Sequence, residues 1–248
     1  MGGGYSGQGG GKRDNRAWGS LATPAGDGKK KIDGYTMYQT DEAIFKEMGL
    51  GNGGEADQWR ESLTGDEATA VHWYAGNGHQ AINKLERDQK PGNWYTTEQA
   101  MKGSTDLKRA LDKGELQENI IVTRTGGATL LGGGDTSVAG IRKRYGEVIQ
   151  DPGFTSTELN QHTSEINPYG KKHGSSRVTY HIKVEKGVGI GQYIRGLTGS
   201  KQEQEFLFNK GSAFKILGAY ADASGMTHVN LKYVGGANGK AKGKQGRK

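Results

Sequence analysis

The chain has no cysteine and only four prolines in 248 residues. Without cysteine there are no disulfide staples, no zinc–thiolate sites and no thiol nucleophile, so any chemistry must come from other side chains. Glycine is in large excess, 44 residues or about 18% of the chain, against an average near 7%. The scarcity of proline and the lack of a Gly-X-Y period nevertheless exclude a collagen-like chain. No stretch approaches the roughly 18 continuous apolar residues of a membrane span. The first residues, MGGGYSGQGGGKRDNRAW, lack the apolar core of a secretory signal, so a soluble chain without an ordinary export signal is expected.

What is present is an uneven charge. The formal net charge is +7, which suggests nucleic acid until it is counted along the chain. Residues 1–34 hold six Lys/Arg and three Asp, and 235–248 hold five Lys/Arg and no acid, leaving the central 200 residues with 23 bases and 24 acids. The basicity belongs to the ends. Residues 1–34, with 11 glycines, read as a flexible leader, and 235–248 (GGANGKAKGKQGRK) as a disordered basic tail. A single domain is expected over 35–234, long enough for one substantial core.

The first half of that domain is helical in pattern. Thr64 with Glu67 three residues later forms a capping box before Ala68, Val71, Trp73 and Tyr74, which predicts a helix from Gly65. Gly76-Asn77-Gly78 is expected to break it, and Gln80 to Arg87 restarts with Ile82 and Leu85 on one face before Pro91-Gly92. Two further short helices are expected at 97–102 and 106–111. After residue 118 the pattern changes to short β-rich runs at 119–124, 153–157, 177–184, 188–194, 205–209, 213–219 and 229–234. Val178, Tyr180, Ile182 and Val184 alternate, which reads as a half-buried strand. Helices followed by strands without helical crossovers indicate an α+β fold.

Several site signatures are missing. There is no phosphate-binding Gly-x-x-x-x-Gly-Lys-Ser/Thr loop, no dinucleotide fingerprint after a strand, no Gly-x-Ser-x-Gly and no His-Glu-x-x-His among the six histidines, so metal binding is not indicated. Three features remain, each at a predicted strand. Arg124 ends an apolar strand and precedes Thr125-Gly126-Gly127, where a guanidinium and glycine-freed amides can meet an anion. Phe154-Thr155-Ser156-Thr157 is a hydroxyl-rich strand on which Ser156 and Thr155 face opposite sides. Glu203 and Glu205, two apart, share a face on a strand, and Glu205 runs into the apolar Phe206-Leu207-Phe208. Paired, partly desolvated carboxylates suit the stabilisation of a cationic centre.

In this order, Arg, then Ser-Thr, then Glu-x-Glu, the chain resembles the Arg/Ser-Thr-Ser/Glu-x-Glu class of mono-ADP-ribosyltransferases, the group of clostridial binary actin-modifying toxins and Rho-modifying exoenzymes. Leu63-Thr64 with Glu67 and Tyr74, then Ile82-Asn83 with Arg87, is similar to that family's helical lead-in. The most specific piece is Glu205-Phe206-Leu207-Phe208 followed by Gly211-Ser212-Ala213-Phe214-Lys215-Ile216. One departure stands out: the third residue of the Ser-Thr-Ser strand is Glu158.

The resemblance implies a two-sheet β core around an NAD cleft and transfer of ADP-ribose from NAD, as co-substrate and without metal, to a target protein, with nicotinamide leaving. It implies that Glu205 binds the nicotinamide ribose and stabilises its developing cation, that Ser156 supports Glu205, and that Arg124 clamps the pyrophosphate. Asn83, Arg87 and Tyr74 resemble auxiliary dinucleotide contacts, and read equally as a helix-surface pair and a core tyrosine. Glu203, where asparagine-modifying members carry Gln, implies an arginine acceptor. Residues 191–201 correspond to the target-recognition loop, with Tyr193 and Leu197 as contacts. A monomeric toxin, effector or phage-delivered enzyme acting in a recipient cytoplasm is expected. The alternatives are a silent NAD-binding or virion-associated module, or a nucleic-acid binder using the basic tails. The glycines near Arg124, at 132–134 and at 187–199 then read as loop backbone around the cleft.

Overall fold

The computed structural model describes residues 13–18, 26–48, 53–92, 94–161, 177–187, 191–193 and 204–236. In chain order the helices are α1 (Asp41–Met48), α2 (Glu55–Glu61), α3 (Gly65–Trp73), α4 (His79–Glu86), α5 (Thr97–Asp112) and α6 (Val138–Lys143). The strands are β1 (Lys29–Ile32), β2 (Tyr35–Tyr38), β3 (Ile120–Gly126), β4 (Val148–Gln150), β5 (Thr155–Glu158), β6 (Val178–Val184), β7 (Gly191–Tyr193), β8 (Glu205–Phe208), β9 (Ser212–Ala221) and β10 (Thr227–Gly236). The fold is α+β, as the order of patterns predicts.

The capping box forms as expected: the Glu67 N–H donates to the Thr64 hydroxyl and the Thr64 N–H to the Glu67 carboxylate. The chain kinks where Gly76-Asn77-Gly78 is expected to break the helix: Gly76 takes non-helical angles, φ −92° and ψ −113°, and α4 restarts at His79. The two short helices expected at 97–102 and 106–111 are one 16-residue helix, opened by a second capping box between Thr96 and Gln99. A mid-helix glycine costs about 1 kcal/mol against alanine, yet Gly103 stays helical because it lies under the Trp73 ring, where an added Cβ would come within 2.2 Å. That close approach lets α3 and α5 pack, and packing outweighs the poor propensity.

The strands run in the order β4-β9-β10-β6-β3-β5-β8-β7, with β2 and β1 attached at the start of β3. Pairing along β3–β6 extends over seven residues, whereas β3 meets β5 only at Thr123 opposite Glu158. The sheet therefore consists of two blocks joined at one point. The main core gathers Val122, Tyr180, Ile182, Phe214 and Leu231 of the larger block with Phe206 and Phe208 of the smaller one, all fully enclosed, and is covered in part by α1 and α6. A second cluster joins α3, Tyr74, Ile82 and Leu107 to Phe154 and Leu207.

Two expectations change here. Strand β6 is buried on both faces, not half-buried, because residues within the supposed leader cover its polar side. Asp14 N–H donates to Leu217 O at 2.8 Å, the Asn230 amide donates to the carbonyls of Asp14 and Arg16 at 2.9 Å each, and Trp18 is 1% exposed. Residues 29–38 form the β1–β2 hairpin. The low apolar content of 1–34 pointed to a free segment, but its polar atoms find partners: Arg16 pairs with Asp14 and Asp33, and Lys183 reaches Asp33 at 2.8 Å and lies 4.1 Å from the centroid of the Trp18 ring.

Beneath this cover His181 is fully buried, with Nε2 at 2.9 Å from His228 Nδ1 and 3.2 Å from the Tyr220 hydroxyl. His228 Nε2 in turn lies 3.2 Å from the Asp222 carboxylate. Burial first, then His228 and Lys30, hold the His181 pKa well below its ordinary value. The unfolded chain, with a histidine pKa near 6.5, thus binds more protons than the folded one as pH drops. The stability that neutral His181 permits is fully present above about pH 6.5 and is lost as pH falls through that value. Urea titrations should show the unfolding free energy declining from pH 7 to pH 5 by up to about 1.4 kcal/mol per pH unit for this proton. In His181→Gln that slope should flatten, whatever its absolute stability.

Candidate active site

Strands β5 and β8 pair antiparallel, with Thr155, Ser156, Thr157 and Glu158 opposite Phe208, Leu207, Phe206 and Glu205. Opposed residues share a face and neighbours alternate. Thr155, Thr157, Phe206 and Phe208 thus point one way, toward the main core, and the Thr157 hydroxyl donates to Phe206 O at 2.7 Å. Ser156, Glu158, Glu205 and Leu207 point the other way, toward the helices. Glu205 is 8% exposed, Ser156 and Glu158 are half-buried, and Ser156 is the diagonal neighbour of Glu205. Two of the expected catalytic residues are thereby brought onto one face.

The facing wall is built by α3, the kinked turn after it and α4, and α3 is closed by Tyr74. Its ring packs edge-on to Phe154, with centroids 5.6 Å apart. The Asn83 amide donates to the Tyr74 hydroxyl at 3.0 Å while its carbonyl accepts the Phe154 N–H at 2.8 Å. Burial, then the negative charge of Glu205, push the Tyr74 phenol above its usual pKa, opposed by the Asn83 hydrogen bond and by Arg124 and Arg87. The phenol thus lies within electrostatic reach of Glu205, Arg124 and Arg87, three of the residues singled out from the sequence.

Arg87 is committed to Asp151. Its Nε and Nη2 donate to the carboxylate at 3.0–3.2 Å, and the same carboxylate, 7% exposed, accepts the Gly153 N–H and the Thr155 hydroxyl. Gly153 fills the angle between Asn83 and Arg87, where a Cβ would meet Asn83 Oδ1 at 2.7 Å and Arg87 Nη2 at 3.0 Å. Sequence spacing placed Asn83 and Arg87 on one helical face but could not reveal this anchor. Asp151, in an unremarkable Asp-Pro-Gly turn, carried no signal of its role as the hub that holds the entry to β5.

Arg124 leaves the core face of β3 and donates from Nη1 to Ser156 O at 2.6 Å, bracing the one junction between the two sheet blocks. The following glycines stand beside the start of β6, since Gly126 pairs with Val178. Just before that strand Arg177 has Nε and Nη2 buried with no hydrogen-bond partner among the described residues. Buried guanidinium nitrogens left unpaired are costly, so an anionic group fits this place. Sequence reading missed Arg177, although its position before an alternating strand was visible. Tyr193 ends β7 beside Phe206 of β8. Glu203 and Leu197 lie outside the described residues.

The fold thus sets a strand-end arginine, a hydroxyl strand and a nearly enclosed glutamate against a tyrosine-bearing helical wall. A sequence model of the ADP-ribosyltransferase exoenzyme family matches residues 52–244, and the chain belongs to that family. Its chemistry is NAD-dependent ADP-ribosylation. No curated protein sequence matches the chain. Among solved structures, the Paenibacillus larvae ADP-ribosyltransferase toxin Plx2a is 18% identical with a TM-score of 0.59, covering 73% of this chain and 91% of that one. The Clostridium limosum C3 exoenzyme is 17% identical with a TM-score of 0.61, covering 82% and 98%. The ADP-ribosylating toxin BECa of Clostridium perfringens, solved with NADH, is 21% identical with a TM-score of 0.59, covering 73% of this chain but 46% of its own. The chain thus spans about half the length of BECa and nearly all of the other two. Among the described residues no helix is long and apolar enough to cross a membrane.

Because Asp151 ties Arg87 to the entry of β5, Asp151→Asn should lower the unfolding free energy by about 1–3 kcal/mol. It should also raise the KM for NAD by about tenfold, equivalent to ~1.4 kcal/mol, with a smaller change in kcat. Thermal melts and steady-state nicotinamide release check both.

Proposed function

We propose that this chain is an NAD–protein-arginine mono-ADP-ribosyltransferase, acting on a protein of a recipient cell as a delivered toxin or effector. The observation that carries the reading is Glu205 at the head of β8, nearly enclosed, on one face with Ser156 and within electrostatic reach of Tyr74, whose phenol also feels Arg124. NAD supplies the ADP-ribosyl group, and nicotinamide is the leaving group.

The residues divide the work by charge. Arg124 and Arg177 hold the pyrophosphate, for which the unpaired nitrogens of Arg177 supply the physical reason. Asn83 and Arg87 set the wall against which the dinucleotide lies, with Tyr74 and Phe154 giving it an aromatic surface. Glu205 holds the nicotinamide ribose and, with its charge in a site that excludes much of the water, favours the positive charge that develops as the glycosidic bond opens. Ser156 orients that carboxylate. Such stabilisation needs fixed charges in place before reaction, and no metal is required for it.

Glu203, two residues before Glu205, is the acid that binds the acceptor guanidinium and takes up its proton, which favours arginine over asparagine. Residues 191–201, with Tyr193 and Leu197, contact the target protein.

The test is labelling of cell lysates with tagged NAD followed by mass spectrometry of the modified band. Glu205→Gln should lower transfer and nicotinamide release together by about 10²–10³-fold, the range for loss of an electrostatic stabiliser. Glu203→Gln should abolish modification of arginine while NAD hydrolysis continues. ADP-ribose found on asparagine overturns the acceptor assignment. NAD binding with neither hydrolysis nor modification points instead to a silent NAD-binding module.

A further inference from the structure

Glu158 is the residue at which this chain departs from the Ser-Thr-Ser strand of its class, and nothing in the function above uses it. It closes β5 directly opposite Glu205. In an antiparallel ladder, opposed residues alternately exchange both backbone hydrogen bonds or none. Next to this pair, the Leu159 N–H donates to Gln204 O at 2.9 Å, which is half of such an exchange. The Gln204 N–H donates to the Glu158 carboxylate at 3.2 Å. Leu159 and Gln204 thus mark the hydrogen-bonding position, and Glu158 and Glu205 form the adjoining close pair, in which side chains approach most nearly.

Gln204 is the residue between the two acids of the Glu-x-Glu segment. Both of its backbone groups are tied to the end of β5, its carbonyl by a main-chain bond and its N–H by a carboxylate. A bond to an ionised acceptor is roughly twice as strong as a neutral one. Glu205 has the β8 ladder to hold it, whereas Glu203 is joined to this anchor through its peptide bond to Gln204. The serine of the class is shorter by one methylene and the carboxyl carbon and ends in a hydroxyl, so it cannot make the same bond across the strand gap.

We propose that Glu158 is a positioning residue that fixes the main chain between Glu203 and Glu205, and through it decides how cleaved NAD divides between the acceptor side chain and water. The proposal rests on the ADP-ribosyltransfer reading for its consequence, but the bond itself is independent of any activity. Loss of the bond loosens Glu203 more than Glu205, so transfer suffers more than cleavage.

Two readouts test it on the full chain, with Glu158→Ala, Glu158→Ser and Glu158→Gln. Amide-resolved hydrogen exchange without NAD should show Gln204 protected in the wild type and in Glu158→Gln, whose side-chain carbonyl still accepts, and exposed in the other two. In Glu158→Ala and Glu158→Ser, transfer to protein should fall by about tenfold, equivalent to ~1.4 kcal/mol, while nicotinamide release changes much less and Glu158→Gln restores both. Unchanged Gln204 protection in Glu158→Ala, equal loss of transfer and nicotinamide release, or a Glu158→Gln enzyme as impaired as Glu158→Ala overturns the proposal. A wild-type chain that releases no nicotinamide counts against the function above, and the amide exchange still decides on the bond.

Discussion

The register between β5 and β8 is the constraint from which the site follows. A slip of one residue would turn every side chain of these strands to the other face. Phe206 and Phe208, both fully enclosed, would leave the core, at a cost of roughly 3–6 kcal/mol for 1.5–3 kcal/mol per large apolar side chain. Glu205 and Glu158 would enter the core in their place. Since a domain's whole stability is of order 5–15 kcal/mol, the aromatic pair sets the register and the register places the acids. The polar face gains its geometry from apolar residues that never meet substrate.

The facing wall depends on the same strand through a different kind of bond. Asp151 gathers Arg87, the Gly153 amide and the Thr155 hydroxyl, and Asn83 bridges Tyr74 to the Phe154 amide. These links cross from α4 to the residues that enter β5, so the helical wall cannot shift without moving Ser156. Arg124 adds a third tie, from β3 to the Ser156 carbonyl. A single register pair joins the two sheet blocks at this point, and the guanidinium reinforces it. A residue singled out from the sequence as a phosphate ligand thus has a structural task in the fold.

What could be read from the sequence was what local rules govern. The Thr64–Glu67 box, the alternating β6 and the run after Glu205 declare themselves because capping, period two and continuous apolarity act over a few residues. The joined helix α5 did not, because Gly103 is explained by Trp73, thirty positions away. The strands β1 and β2 were hidden in a segment whose composition is polar; only Trp18, Met37 and Ile121 packing together and the partners of Asp14 and Asp33 make it ordered. Asp151 and Arg177 were illegible for the same reason. Their meaning lies in what surrounds them: five hydrogen bonds converging on one acid, and on the other buried nitrogens with no partner among the described residues.

The glycine excess changes its sense in this light. Read along the chain it suggested loop backbone around a cleft. Several glycines instead sit where another group presses against the backbone: Gly103 under Trp73, Gly153 between Asn83 and Arg87, and Gly218 under Asp14 O, which would lie 2.2 Å from an added Cβ. Each site joins two elements that a methyl group would hold apart, α3 to α5, α4 to the entry of β5, and the N-terminal cover to β9. The three contacts are also those on which the aromatic wall, the α4 side of the candidate site and the sealed polar layer of the sheet respectively rest. In this chain glycine supplies closeness as much as freedom, which is why so much of it is compatible with a packed enzyme.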